Sequence, residues 1–264
     1  ALRVPNLESL GIYSAVRLST GLTFPNTNNA IGSYAVAQER SKGKDTPTGH
    51  HEIAGFTDPI GWYTFPEIVP VFPEKQTNKL LQKANLVGVL GNKHASGEEI
   101  IKDCGEDHLK SGCPILYTSA DSVLQIAAHE QVFGLDRLYK TCEIAAEIFS
   151  DLRVQRIIAR PFLGKNKDEF FRTKNRKDFI LPPTVDTLCD KVIKSGKKCF
   201  GVGKISDIFG HRGISDSVSG MSDDKLFDEM LNIISKANDG DLIFVNFVEF
   251  DTLYGHRRDV SGYA

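Results

Sequence analysis

Apolar positions in the last third of the chain follow two different rhythms. Between 184 and 195, Val185, Leu188, Val192 and Ile193 recur at helical spacing, and Gly196 supplies a stop. Residues 198–203 then form a short apolar run, predicted to be a buried strand ending at Lys204. Ser222 is placed to cap a helix whose first turn holds Asp223 and Asp224, favourable beside the positive end of the helix dipole. Its apolar stripe is Leu226, Phe227, Met230, Leu231 and Ile234. A turn at Asn238-Asp239-Gly240 leads to Leu242–Phe250, an almost continuously apolar stretch predicted to be a strand. Helices alternating with strands that are apolar on both faces predict a parallel sheet covered on both sides, the α/β class.

The middle differs. Pro66, Pro70 and Pro73 precede a short helical stretch and read as a linker, and Pro182-Pro183 reads as the return. Between them the pattern predicts a strand at 115–118, helices over 122–131 and 135–152, and a strand at 156–163. The organisation expected is therefore a core of residues 1–62 and 183–264 with a cap domain, 63–182, inserted in it. The chain opens at Leu2-Arg3-Val4-Pro5 without a first strand and stops at Gly262-Tyr263-Ala264 just after a strand. The core is accordingly expected to be incomplete at both ends.

Composition removes several function classes. Lys+Arg and Asp+Glu number 32 and 34, so no basic footprint for nucleic acid or an anionic membrane is present. No apolar run approaches the roughly 20 residues of a membrane span, and the first residues have no signal-peptide pattern. The five cysteines contain no Cys-x-x-Cys pair, which favours reduced thiols in a cytoplasmic protein over a zinc site or a disulfide framework.

Three segments carry candidate chemistry. Gly43-Lys44-Asp45-Thr46-Pro47-Thr48-Gly49-His50-His51-Glu52 reads either as a polar turn with helix caps or as a threonine nucleophile, with Lys44 to offset phosphate charge. An alcohol needs activation at neutral pH, which a metal ion can supply. In the second, Asp251 falls at the end of the predicted strand, where α/β sheets gather ligands. His256 follows within reach from a loop. The pair suits Mn²⁺ or Zn²⁺, or else Asp251 caps a turn and His256 begins a solvated basic loop. In the third, Ser119-Ala120-Asp121-Ser122, the oxygens either cap a helix or face sugar hydroxyls. Arg156, Arg160, Arg172 and Lys204 are available for phosphate.

These segments, with Gly91-Asn92-Lys93-His94-Ala95-Ser96-Gly97, residues 117–130, Arg156-Ile157-Ile158-Ala159-Arg160-Pro161-Phe162, Arg172-Thr173-Lys174-Asn175-Arg176, Gly203-Lys204-Ile205 and Phe250–Asp259, resemble in order the phosphopentomutase family of the alkaline phosphatase superfamily. The resemblance implies an alkaline-phosphatase-like α/β core, its sheet mostly parallel, with an inserted α+β cap. It implies an isomerase that exchanges phosphate between C1 and C5 of ribose or deoxyribose through a phosphothreonine and a 1,5-bisphosphate, primed by a sugar bisphosphate. By position, Thr46 resembles the phosphate-bearing threonine. Asp251 and His256, with Thr46 itself, resemble ligands of a two-Mn²⁺ site. Ser119, Asp121 and the Ile158 N–H resemble contacts to the sugar, and Arg156, Arg172 and Lys204 contacts to the non-reacting phosphate. Further family ligands, an aspartate upstream and an Asp-His pair and a histidine downstream, have no match here. The chain alone is therefore expected to bind metal weakly and to be nearly inactive. A small sugar phosphate is the only partner implied. A phosphatase of the superfamily, a phosphoglycerate mutase with serine in place of Thr46, and a non-catalytic sugar-phosphate-binding protein are the alternatives.

Overall fold

The computed structural model describes residues 4–24, 30–43 and 45–263. The described helices are α1 (Pro5–Leu10), α2 (Ile12–Thr20), α3 (Thr46–Ile53), α4 (Glu74–Lys83), α5 (Gly97–Ser111), α6 (Leu135–Ser150), α7 (Leu188–Lys194), α8 (Ile205–Ile208), α9 (Asp223–Ile234) and α10 (Val260–Tyr263). The strands are β1 (Leu90–His94), β2 (Ile115–Thr118), β3 (Val123–His129), β4 (Arg156–Leu163), β5 (Phe171–Arg172), β6 (Lys177–Ile180), β7 (Cys199–Val202), β8 (Asp216–Val218) and β9 (Leu242–Val245). π-Helical stretches cover Glu130–Gly134 and Phe250–Gly255. The chain forms two units, Ala1–Arg40 with Val248–Ala264, and Ser41–Phe247.

The larger unit holds two sheets. One runs β1-β2-β3-β4-β5, with β6 also on β4; β1 lies parallel to β2 and β3 parallel to β4, and the other pairings are antiparallel. The other, β8-β7-β9, is wholly parallel. Four of the seven pairings are thus parallel, in an α/β chain. The whole six-stranded sheet comes from residues 90–180 and the parallel one from 199–245.

The helix predicted over 122–131 is instead β3. All seven of its residues are buried, because α5 covers one face of the sheet and α6 the other. A strand buried on both faces loses its alternation, so Val123, Leu124, Ala127 and Ala128 mimic helical spacing. On the α6 side, Leu124, Ile126 and Ile157 meet Leu138, Cys142, Ala145 and Phe149. The proline-rich stretch is more than a linker: Phe65, Val71 and Phe72 enter this core, with Phe65 edge-on to Phe72 at 4.8 Å. Each buried aromatic ring contributes about 2–3 kcal/mol.

Around the parallel sheet the predicted elements are present but shorter. The first helix starts at Leu188 because a capping box forms ahead of it, in which Thr187 N–H donates to Asp190 at 2.7 Å. The run from Leu242 leaves the sheet at Val245, so Asp251 does not end a strand. Ser222 stands at the N-cap of α9 without a side-chain cap bond. Of the stripe only Leu226 is buried, since β7 and β9 meet one edge of it. All five cysteines are free thiols. No helix among the described residues is long and apolar enough to cross a membrane.

Candidate active site

Thr46 is the first residue of α3, exposed at the helix's positive pole. Two side chains fix the turn that presents it. Asp45, the N-cap, accepts from the Thr48 N–H at 2.9 Å and from the Thr48 hydroxyl, and that hydroxyl in turn accepts from Trp62 Nε1 at 2.6 Å. Asp45 also accepts from Gln155 Nε2, which anchors the cap to the residue before β4. Lys44 lies outside the described residues.

A second set of bonds ties α3 to the carboxyl edge of the parallel sheet. His50 Nδ1 lies 2.8 Å from the Thr46 carbonyl oxygen, and His50 Nε2 lies 3.2 Å from Asn246 Nδ2. Asn246 Oδ1 accepts the Lys204 N–H at 2.8 Å. Lys204 follows β7 after the single residue Gly203, and its side chain is exposed.

Ser119 and Asp121 occupy the turn between β2 and β3, where Thr118 Oγ1 donates to the Val123 carbonyl at 2.6 Å. Arg156, opposite Val123 on β4, approaches Asp121 at 3.6 Å. Its Nε is buried without a hydrogen-bond partner among the described residues. Ser122, placed in the sequence as a helix cap, accepts the Gln155 N–H at 3.1 Å instead. A continuous set of bonds therefore runs from the Ser119–Ser122 turn through Gln155 to Asp45 and the base of Thr46. Ile158 sits mid-strand between Gln125 of β3 and Asp178 of β6. Its N–H lies in the sheet plane facing a neighbouring strand, and its side chain is buried.

Arg172 stands apart. It pairs with Phe162, six residues along β4 from Arg156 and so roughly 20 Å away at the backbone. Its guanidinium turns toward the N-terminus of α5: a Cβ added at Gly97 would lie 2.5 Å from the Tyr117 hydroxyl and 2.7 Å from Arg172 Nη2. The Tyr117 hydroxyl is fully buried and has no hydrogen-bond partner among the described residues. Burial raises its pKa above the ordinary value, against the opposing pull of Arg160, Arg172 and Arg176. Arg160 donates to Gln125 at 2.9 Å, and burial lowers its pKa ahead of repulsion from Arg176. Arg176 pairs with Asp178, whereas Arg160 and Arg172 form no ion pair among the described residues. Two guanidiniums without an ion pair among the described residues thus stand close to an orphaned hydroxyl, a group of donors that suits an anion. Tyr117 escapes sequence reading because it sits in an apolar strand. The charge of Arg160 in the middle of a buried strand is the signal that could have marked this group.

In the smaller unit, Asp251 and His256 meet: His256 Nε2 lies 3.1 Å from Asp251 Oδ2, both side chains largely exposed. The sequence placed His256 on a loop. In fact a π-helical turn, closed by the His256 N–H to the Asp251 carbonyl at 3.0 Å, brings residues five apart together. A carboxylate and an imidazole side by side suit part of the shell of a divalent ion. Among the described residues no three such side chains gather. Thr46 belongs to the other unit.

Residues 192–264 match the Metalloenzyme superfamily. Along its whole length the chain is similar to curated proteins named phosphopentomutase. It is 49% identical over 263 residues to that of Chelativorans sp. (strain BNC1), 50% over 268 to that of Chromohalobacter salexigens, and 47% over 267 to that of Legionella pneumophila (strain Corby). The chain spans 64%, 64% and 65% of their respective lengths.

Proposed function

From the premise that this chain is a homologue of phosphopentomutases over all of its residues, we propose that it carries part of a metal-dependent phosphopentomutase acting on ribose or deoxyribose phosphates. The observation that supports this most is the presentation of Thr46: exposed at a helix N-terminus and anchored on one side to the Ser119–Ser122 turn and on the other to Lys204.

In this reading a sugar bisphosphate first phosphorylates the Thr46 hydroxyl; phospho-Thr46 then passes that group to the free hydroxyl of a pentose 1- or 5-phosphate, and the resulting 1,5-bisphosphate returns the phosphate from its opposite end to Thr46. The positive pole of α3 favours charge on the phosphorylated side chain. Ser119 and Asp121 hold sugar hydroxyls. Arg156 and the Lys204 side chain neutralise phosphate near Thr46, and Arg160, Arg172 and the Tyr117 hydroxyl supply a second group of donors for the other phosphate. Phosphoryl transfer asks mainly for positioning and charge neutralisation, which these groups provide. Asp251 and His256 would hold a divalent ion, Mn²⁺ in this reading, which when bound supplies positive charge to phosphoryl oxygens. Residues 63–182 act as a cap that keeps water from the phosphothreonine. The free thiols are compatible with a cytoplasmic setting.

The test is to incubate the whole protein with a labelled ribose 1,5-bisphosphate and locate the label by mass spectrometry. Label on Thr46, its loss in Thr46→Ala, and isomer rather than free phosphate as product are expected. Steady phosphate release would make the protein a phosphatase, and undiminished turnover in Thr46→Ala would remove Thr46 from the reaction.

A further inference from the structure

We infer that His50 and Asn246 are positioning residues that set the place of Thr46 relative to Lys204. Their donors and acceptors can be assigned in one way only. The Lys204 N–H can only donate, so the Asn246 atom 2.8 Å away is Oδ1 and the amide presents Nδ2 to the imidazole. His50 Nε2 therefore accepts, and in the neutral ring the proton sits on Nδ1, 2.8 Å from a carbonyl oxygen that can only accept. The four groups form a chain in which every bond points the same way, from the Lys204 N–H to the Thr46 carbonyl, and such chains reinforce each bond.

The surroundings are shaped for this chain. Gly203 has φ +85°, and a Cβ there would come within 2.3 Å of both the Asn246 carbonyl and Oδ1, so only glycine lets Asn246 approach. Phe244 stacks on the His50 ring at 6.0 Å and 29°, fixing its plane. Asn246 is itself placed by its N–H donating to the Val202 carbonyl at 3.1 Å. The imidazole thus joins the first residue of α3 to the carboxyl ends of β7 and β9.

The functional part of the inference rests on the proposed role of Thr46, because the relay fixes the backbone separation between that hydroxyl and the lysine assigned to phosphate. Misplacement by about an ångström costs on the order of 100-fold in rate. In the whole protein, His50→Ala and Asn246→Leu should each slow phosphoryl transfer at saturating substrate by about 10–100-fold, with KM changed less than about threefold. The double variant should be no slower than the worse single one, because either change breaks the same chain. His50→Asn keeps the donor toward the Thr46 carbonyl and should recover part of the rate. Long-range ¹H–¹⁵N spectra of the 264-residue chain should show His50 neutral with its proton on Nδ1, changing in Asn246→Leu. An Nε2–H tautomer, or rate losses that multiply, would overturn the relay. If Thr46→Ala abolishes labelling while His50→Ala transfers at the normal rate, the relay is wrong and the function stands. If Thr46 is never labelled in the unaltered protein, the function is wrong and the tautomer alone decides the relay.

Discussion

A buried hydroxyl without a partner costs about 1–3 kcal/mol, and the Tyr117 hydroxyl is one. Its retention between Arg160 and Arg172 is explained when an anion supplies the missing acceptor. Tyr117→Phe should then raise KM for the sugar phosphate by on the order of tenfold while leaving the protein as stable as before or more so. A variant with unchanged KM would show that this group of donors does not take substrate phosphate. At this scale the motifs name Thr46, Ser119, Asp121 and Arg156 as candidates, and a linked set of bonds joins the segments that carry them. His50 and Asn246 were not legible as partners. They are 196 positions apart, and only the packing of α3 against the end of the parallel sheet brings an imidazole to an amide.

Among the elements, the π-helical stretch Phe250–Gly255 has the geometry on which the proposed metal pair depends. A regular helix brings residues four apart together, whereas this turn brings together residues five apart, Asp251 and His256. Deleting Leu253 should return the stretch to α-helical spacing and separate the pair. Mn²⁺ affinity of the chain, followed by electron paramagnetic resonance, should fall on the order of tenfold or more. Thr252→Ala, which keeps the register, should not alter it. Equal affinities in the two variants would mean that the pair is not a metal site. Strands β2, β4 and β7 and helix α6 are recognisable from periodicity because each has a clear apolar face or clear flanks. β3 misleads because both of its faces are covered, and the run from Leu242 misleads because apolar residues continue after the hydrogen-bonded ladder has ended at Val245.

The whole molecule should also respond to pH through histidines buried in neutral form. His108 donates from Nδ1 to the Cys113 carbonyl at 2.7 Å and accepts the His129 N–H on Nε2 at 2.9 Å. Burial lowers its pKa, more than the Cys113 carbonyl raises it. His51, bonded to the Ile208 carbonyl, is lowered for the same reason. With the folded value below the ordinary 6.5, the unfolded chain takes up the protons first on acidification. Stability is therefore full above pH ~6.5 and declines as pH falls through the interval down to the folded values. Urea midpoints should be lower at pH 5.5 than at pH 7.5, and His108→Gln should reduce the difference. Equal midpoints in the unaltered protein would refute the assignment.

Helix α3 is held from two directions, by Gln155 just ahead of β4 and, on the side of the parallel sheet, by Asn246, by the His51–Ile208 bond and by Ala54 in the core beside that sheet. If the two sheets swing apart to admit or release a sugar, one of these sets of tethers must give way. Gln155 is a single link, whereas the parallel-sheet side adds buried apolar packing to its hydrogen bonds. The threonine would then ride with the parallel sheet as it opens, staying beside the lysine and parting from the Ser119–Ser122 turn.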